Sequence, residues 1–365
     1  MNKHQQTGVS PAPLVHGGDW AGYSEEYGAP PLDFSANVSP LGVPRGVQQA
    51  IADAAQTADR YPDPLCRSLC RKLAVHEAVL ASWVLCGNGA ADLIFRAVLA
   101  RKPQKALLTA PAFAEYEAAL TACGCEVEYY FLREENDFRL DDGFLQAIVP
   151  GVDMVFLCEP NNPTGVSSPR EFLLRVLERC SRCGALLMLD ECFADFLEEP
   201  ERHTMKPFLA RFPNLVILKA FTKLYAMAGV RLGYALCADG ERMETMRSAG
   251  QPWAVSSLAQ AAGEAALDET AYVGKVRRMV QRERPWMTRQ LTQLGLRVVP
   301  GEANYLLFRC PVPLLQPLLQ PLRQRGILLR SCSNYRGLDE TWYRTAVRTH
   351  SDNIRLLQAI SEVVR

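Results

Sequence analysis

The chain predicts an α/β protein, with a large domain on a mainly parallel sheet and a smaller α+β domain beside it. Short apolar, β-rich runs alternate with helix-like stretches, the pattern of a parallel sheet with crossover helices. Most of these runs are continuously hydrophobic instead of alternating, which suits strands covered on both faces. Near Ala261 the pattern changes to a long polar helix and a few short strands. The expected division is 46–260 for the large domain, with 1–45 and 261–365 forming an N-terminal arm and a small C-terminal domain.

Taken in order, the expected strands of the large domain are Ala106–Ala110, Val127–Phe131, Met154–Cys158, Ala185–Leu189, Val216–Leu218 and Tyr234–Cys237. Pro169–Arg179 is one of the helices between them. In the second part, a helix bearing Lys275, Arg277, Arg278, Arg282 and Arg284 leads to Pro285, and strands follow at Leu296–Val299, Asn304–Phe308 and Gly326–Leu329. Forty basic residues balance forty acidic ones, so this helix reads as a solvated face and the chain carries no electrostatic footprint for nucleic acid. No apolar run reaches membrane-spanning length, and the polar start Met1–Thr7 lacks a signal-peptide core, which makes the cytoplasm the expected location. Twelve cysteines lie scattered through apolar segments and read as buried free thiols. Cys180-x-x-Cys183 and Cys66-x-x-x-Cys70 have no second pair or nearby histidines, so no metal site is expected.

The chemistry-bearing residues sit at strand ends, where ligands of such sheets bind. Lys223 follows the run Leu215–Phe221, and a lysine at a strand exit can be partly desolvated toward the neutral amine that attacks an aldehyde. Arg231, eight residues on, returns a positive charge that suits a phosphate, and Thr222 offers a hydroxyl. Gly87-Asn-Gly89-Ala90-Ala91-Asp92 opens a helical run, exposing N–H groups at its positive end. Phe113 stands just past a strand, placed to stack on a ring. The prolines around Asn161 and Asn162 make a rigid turn that can aim an amide, and Asp190 ends a strand with a carboxylate.

A glycine cradle, an aromatic, Asn-Pro-Thr-Gly, Asp-Glu, then Thr-Lys with arginine eight later: this order resembles the fold-type-I aminotransferase superfamily over nearly the whole chain. The resemblance implies pyridoxal 5'-phosphate (PLP) as cofactor, a mainly parallel seven-stranded sheet with a smaller domain, and a homodimer with shared active sites. It implies that Lys223 attaches the cofactor aldehyde, Asp190 pairs with the pyridine nitrogen, Asn162 contacts the ring hydroxyl and Phe113 stacks on the ring. Gly89, Ala90, Ala91, Thr222 and Arg231 would hold the phosphate, with Tyr61 reaching the neighbouring subunit's phosphate. Two positions depart from the pattern: Phe193 stands where many members have a tyrosine, and Ala220 where many have a hydroxyl residue.

Within that superfamily the chain is similar to a branch of phospho-amino-acid enzymes containing histidinol-phosphate aminotransferases and threonine-phosphate decarboxylases. His16-Gly-Gly-Asp19, Asp33-Phe-Ser-Ala-Asn37, Phe193 and the arginines Arg330, Arg344 and Arg348 resemble the decarboxylases. The implied activity is decarboxylation of L-threonine O-3-phosphate to (R)-1-amino-2-propanol O-phosphate, a linker in cobalamin assembly. The alternative is a histidinol-phosphate or related phospho-amino-acid aminotransferase. A doubly anionic substrate asks for a cationic pocket, and His16, Asn37, Arg330, Arg344 and Arg348 are the candidates.

Overall fold

The computed structural model describes residues 16–310 and 318–364. The Met1–Thr7 start and the rest of the first fifteen residues of the expected N-terminal arm lie outside the described residues. A two-residue strand, β1 (Leu32–Asp33), comes first. Seven strands then form the main sheet: β2 (Val84–Gly87), β3 (Lys105–Ala110), β4 (Glu126–Phe131), β5 (Met154–Cys158), β6 (Leu186–Asp190), β7 (Leu215–Ala220) and β8 (Gly233–Leu236). Their order is β2-β8-β7-β6-β5-β3-β4. Only β8 is reversed, running antiparallel to both β2 and β7, while β7, β6, β5, β3 and β4 are parallel to one another. Every residue of β5 and β6 is buried, as their unbroken apolar runs require of strands with helices on both faces.

The remaining strands are β9 (Arg297–Val298), β10 (Tyr305–Arg309), β11 (Ile327–Leu328), β12 (Arg330–Ser331) and β13 (Trp342–Ala346). Four of them form an antiparallel sheet in the order β12-β13-β10-β9. β11 pairs in parallel with β1, Leu32 opposite Ile327, so the start of the chain is stitched to the terminal region. Phe34, Met287, Leu306, Phe308, Leu356 and Ile360 belong to an apolar core separate from the one around the main sheet.

The basic helix differs from its sequence reading in two respects. It spans Thr270–Gln293 and passes through Pro285 instead of ending there. Met287 and Leu291, two and six residues beyond the proline, are fully buried in that second core. Burying two such side chains contributes about 1.5–3 kcal/mol each, enough to offset the ~3 kcal/mol cost of an interior proline. Nor is its whole basic face solvated: the Arg277 and Arg284 guanidinium groups turn inward and donate to the carbonyls of Asp195 and Glu302.

Candidate active site

The carboxyl ends of β3, β5, β6 and β7 point to one side of the main sheet, and a cavity of about 200 Å³ opens there. His16, Asn37, Ala90, Ala91, Phe113, Asn162, Asp190, Thr222, Lys223, Arg231, Arg330 and Arg344 all line it. Residues read from widely separated stretches of sequence thus converge on one site.

Lys223 lies in a single helical turn, Phe221–Leu224, that follows β7 directly. Its carbonyl accepts the Ser39 N–H at 2.9 Å, which ties the turn to the loop after β1. Burial pushes the Lys223 ammonium down to about 8, and the cations Arg344 and Arg231 add to the effect. At neutral pH a useful fraction of this amine is therefore unprotonated, as a nucleophile requires. Across the cavity, Asp190 ends β6. Its Oδ2 accepts the Tyr116 hydroxyl at 2.6 Å and its Oδ1 accepts the Cys192 N–H at 2.9 Å, so the carboxylate is fixed in direction.

The helix Gly89–Arg101 opens on the same cavity, and its N-cap Asn88 makes no side-chain cap hydrogen bond. Gly89 has φ +77°, and a Cβ there would come within 2.8 Å of the Arg231 guanidinium. A Cβ on Gly233 would come within 2.7 Å of the Ala90 nitrogen. The two glycines let helix start, strand and Arg231 close into a cradle of N–H groups and positive charge, with Thr222 buried beside it.

The opposite wall is cationic. Arg330 and Arg344 are direct partners in the β12–β13 ladder and both line the cavity. Arg344 donates through Nη1 to Asn162 Oδ1 at 2.5 Å and through Nη2 to the Ser35 carbonyl at 2.8 Å. Arg330 donates to Asn334 Oδ1 at 2.8 Å. His16 rests 5.6 Å from the Phe113 ring and pairs with Glu115 at 2.6 Å. Arg344 Nε and Asn37 Oδ1 are buried with no hydrogen-bond partner among the described residues. Such groups cost about 1–3 kcal/mol each when left unsatisfied.

One expected substrate residue, Arg348, stands away from the cavity, and Tyr61, expected at a neighbouring subunit's site, faces outward. Tyr61 is 81% exposed, its ring against Trp253 at 4.7 Å. Arg348 does not line the cavity: it pairs with Asp352 at 3.2 Å and donates to the Asp33 carbonyl at 3.1 Å. Tyr116, Ser35 and Tyr335 had no role assigned from sequence. Tyr116 holds Asp190, Ser35 receives Arg344, and the Tyr335 hydroxyl lies 3.4 Å from Asn162 Oδ1. Ser35 lies within the Asp33–Asn37 segment already singled out, and Tyr116 left a signal of its own, an aromatic three residues after Phe113.

The model of the family "Aminotransferase class I and II" matches residues 29–360. The chain belongs to the aminotransferase class I and II family. Its curated relatives include the threonine-phosphate decarboxylase of Salmonella typhimurium, 41% identical over 354 residues that make up 96% of each chain. Among solved structures, the histidinol-phosphate aminotransferase of Clostridium acetobutylicum superposes with a TM-score of 0.85 at 27% identity, covering 91% of this chain and 98% of that one. The L-threonine-O-3-phosphate decarboxylase of Porphyromonas gingivalis gives a TM-score of 0.80 at 26% identity, with 90% and 98% covered. This member of the family keeps the parallel sheet and places Lys223, Asp190 and the glycine cradle around one cavity. An aldehyde-bearing aromatic phosphate fits that donor set: an amine of lowered pKa, a fixed carboxylate and an N–H cradle closed by an arginine.

Proposed function

We propose that this protein is a PLP-dependent decarboxylase that converts L-threonine O-3-phosphate to (R)-1-amino-2-propanol O-phosphate, a precursor for cobalamin assembly. One observation carries the reading: two arginines opposed in one β ladder face the cavity that also holds Lys223, and a doubly anionic amino acid needs both. The identity to the Salmonella decarboxylase over nearly the full length of both chains supports the same assignment.

Lys223 would attach the cofactor, Asp190 would face its ring nitrogen, and Ala90, Ala91, Thr222 and Arg231 would take its phosphate. Bound there, PLP supplies an electron sink for the pair left on the substrate α-carbon when carbon dioxide departs. The protein's part is orientation. Arg344, held by Ser35 and Asn162, and Arg330 clamp the substrate's anionic groups, and a carboxylate turned out of the ring plane is the group that leaves. A clamp that instead turned the α-hydrogen toward Lys223 would favour transamination. Tyr61, exposed beside Trp253, is our candidate for reaching a second subunit's site in a homodimer. The division at 46–260, with 1–45 and 261–365 as the smaller unit, and a cytoplasmic location belong to the same proposal; the separate core of Phe34, Met287, Leu306 and Ile360 supports a terminal unit, while Ala262, Val276 and Val280 pack with the main sheet. Among the described residues no helix is long and apolar enough to cross a membrane.

The test is an endpoint assay of PLP-loaded protein with L-threonine O-3-phosphate and no 2-oxo acid, following carbon dioxide and amine. Sustained carbon dioxide release is expected. No release, with conversion of the cofactor to its amine form on adding histidinol phosphate, would assign the protein to the aminotransferases instead.

A further inference from the structure

One charged pair lies just behind the phosphate cradle and takes no part in the scheme above. Asp92 stands in the first turn of the helix Gly89–Arg101, beside Ala90 and Ala91. Its Oδ2 accepts the Asn88 N–H at 2.9 Å, fixing the turn that enters the helix. That carboxylate places a negative charge in the same turn that must receive a phosphate, which opposes the helix dipole's attraction for anions. One helical turn further, Arg96 donates through Nε to Asp92 Oδ1 at 2.9 Å, with its side chain only 5% exposed. The guanidinium is held from the far side by the carbonyls of Arg247 and Gln251, both at 3.3 Å. Room for it depends on Gly250, where a Cβ would fall 2.0 Å from Arg96 Cζ.

We infer that Arg96 is a positioning residue for the cofactor's phosphate: it neutralises Asp92, so that the turn keeps its carboxylate brace without repelling the anion. Asp92 shapes the turn, Arg96 cancels its charge, and the loop at 247–251 locks Arg96 in place. This rests on the reading of the cavity as a PLP site.

The experiment titrates the full-length apoprotein with PLP and with pyridoxal, which lacks the phosphate, following protein fluorescence. The wild type should prefer PLP strongly; if it does not, the cofactor reading itself fails. With that preference established, Arg96→Met should raise Kd for PLP about tenfold and leave Kd for pyridoxal within about twofold, the size of an uncompensated charge next to an anion. Arg96→Lys should stay near wild type, and the double variant Asp92→Asn/Arg96→Met should recover most of the loss. Should Arg96→Met fail to fold, Asp92→Asn alone decides, and it is expected to bind PLP at least as tightly as wild type. Equal weakening of PLP and pyridoxal, no recovery in the double variant, or a tenfold loss of PLP affinity in Asp92→Asn would overturn the inference.

Discussion

Arg344→Gln separates the substrate clamp from the rest of the site. Arg344 is buried at 6% exposure, lines the cavity and gives one N–H of each Nη group to Asn162 and Ser35, which leaves the other Nη hydrogens for a substrate anion. Two charge-assisted hydrogen bonds to a substrate anion contribute about 1.5–3 kcal/mol each. Losing both removes roughly 3–6 kcal/mol, or about 10²–10⁴ in kcat/KM at 1.4 kcal/mol per decade. A second, independent effect follows from charge. Arg344 is one of the cations that, after burial itself, hold Lys223 near 8, so its removal raises the Lys223 pKa toward the ordinary lysine value. The assays are kcat/KM for carbon dioxide release and, on apoprotein, the pH dependence of the rate at which PLP attaches, which follows the neutral amine. The expected variant loses at least a hundredfold in kcat/KM and its attachment profile moves to higher pH. Retention of kcat/KM within fivefold, with an unmoved attachment profile, would refute both the clamp and the electrostatic argument.

Lys223→Ala should abolish the absorption of covalently attached cofactor and all turnover while PLP still binds reversibly, measured by absorbance and dialysis. Gly89→Ala places a methyl against Arg231 at a φ of +77°, so PLP affinity should fall by about tenfold or more in equilibrium titration while pyridoxal is affected less. Glu77→Gln removes a buried carboxylate that pairs with Lys206 at 2.7 Å and Lys219 at 3.4 Å. Burial alone would raise the Glu77 pKa, but the two lysines outweigh it and hold the group at about 2 against an ordinary 4.5, which corresponds to about 3 kcal/mol. Because the folded pKa is depressed, that stability is present above about pH 4.5 and is lost as pH falls toward 2. The variant should therefore unfold about 4 °C lower than wild type at pH 7, with the gap closing below pH 4; equal midpoints at pH 7 would contradict the pairing.

The strands of the main sheet were legible because burial on both faces writes an uninterrupted apolar run, as in Met154–Cys158 and Leu186–Asp190. β2 escaped notice, since four residues ending in glycine carry too little pattern and the strand is defined by its pairing with β8. Pro285 reads locally as a stop, and only the distant core that buries Met287 and Leu291 explains why the helix continues. On the site, residues anchored to strand ends could be found from order alone: Asp190, Asn162 and Lys223 all line the cavity. Ser35 could not, because it serves Arg344 through its backbone carbonyl, a group every residue possesses. Arg344 and Arg348 look equivalent in sequence, yet strand alternation aims the first inward, while the second lies past the end of β13 and turns to Asp352.

The stitching of β1 to β11 also bears on how the protein is made. The strand ends that present Asp190 and Lys223, and the glycine cradle with Arg231, are all encoded before residue 240, whereas Arg330 and Arg344 emerge much later. On a ribosome delivering the chain from its N-terminus, the residues proposed to face the cofactor have emerged while those proposed to clamp the substrate have not yet been synthesised. Leu32 and Asp33 wait through that interval for Ile327 and Leu328. The order of the chain thus sets every proposed cofactor-facing residue ahead of both proposed substrate arginines, and a chain terminated ahead of β11 lacks Arg330 and Arg344 altogether.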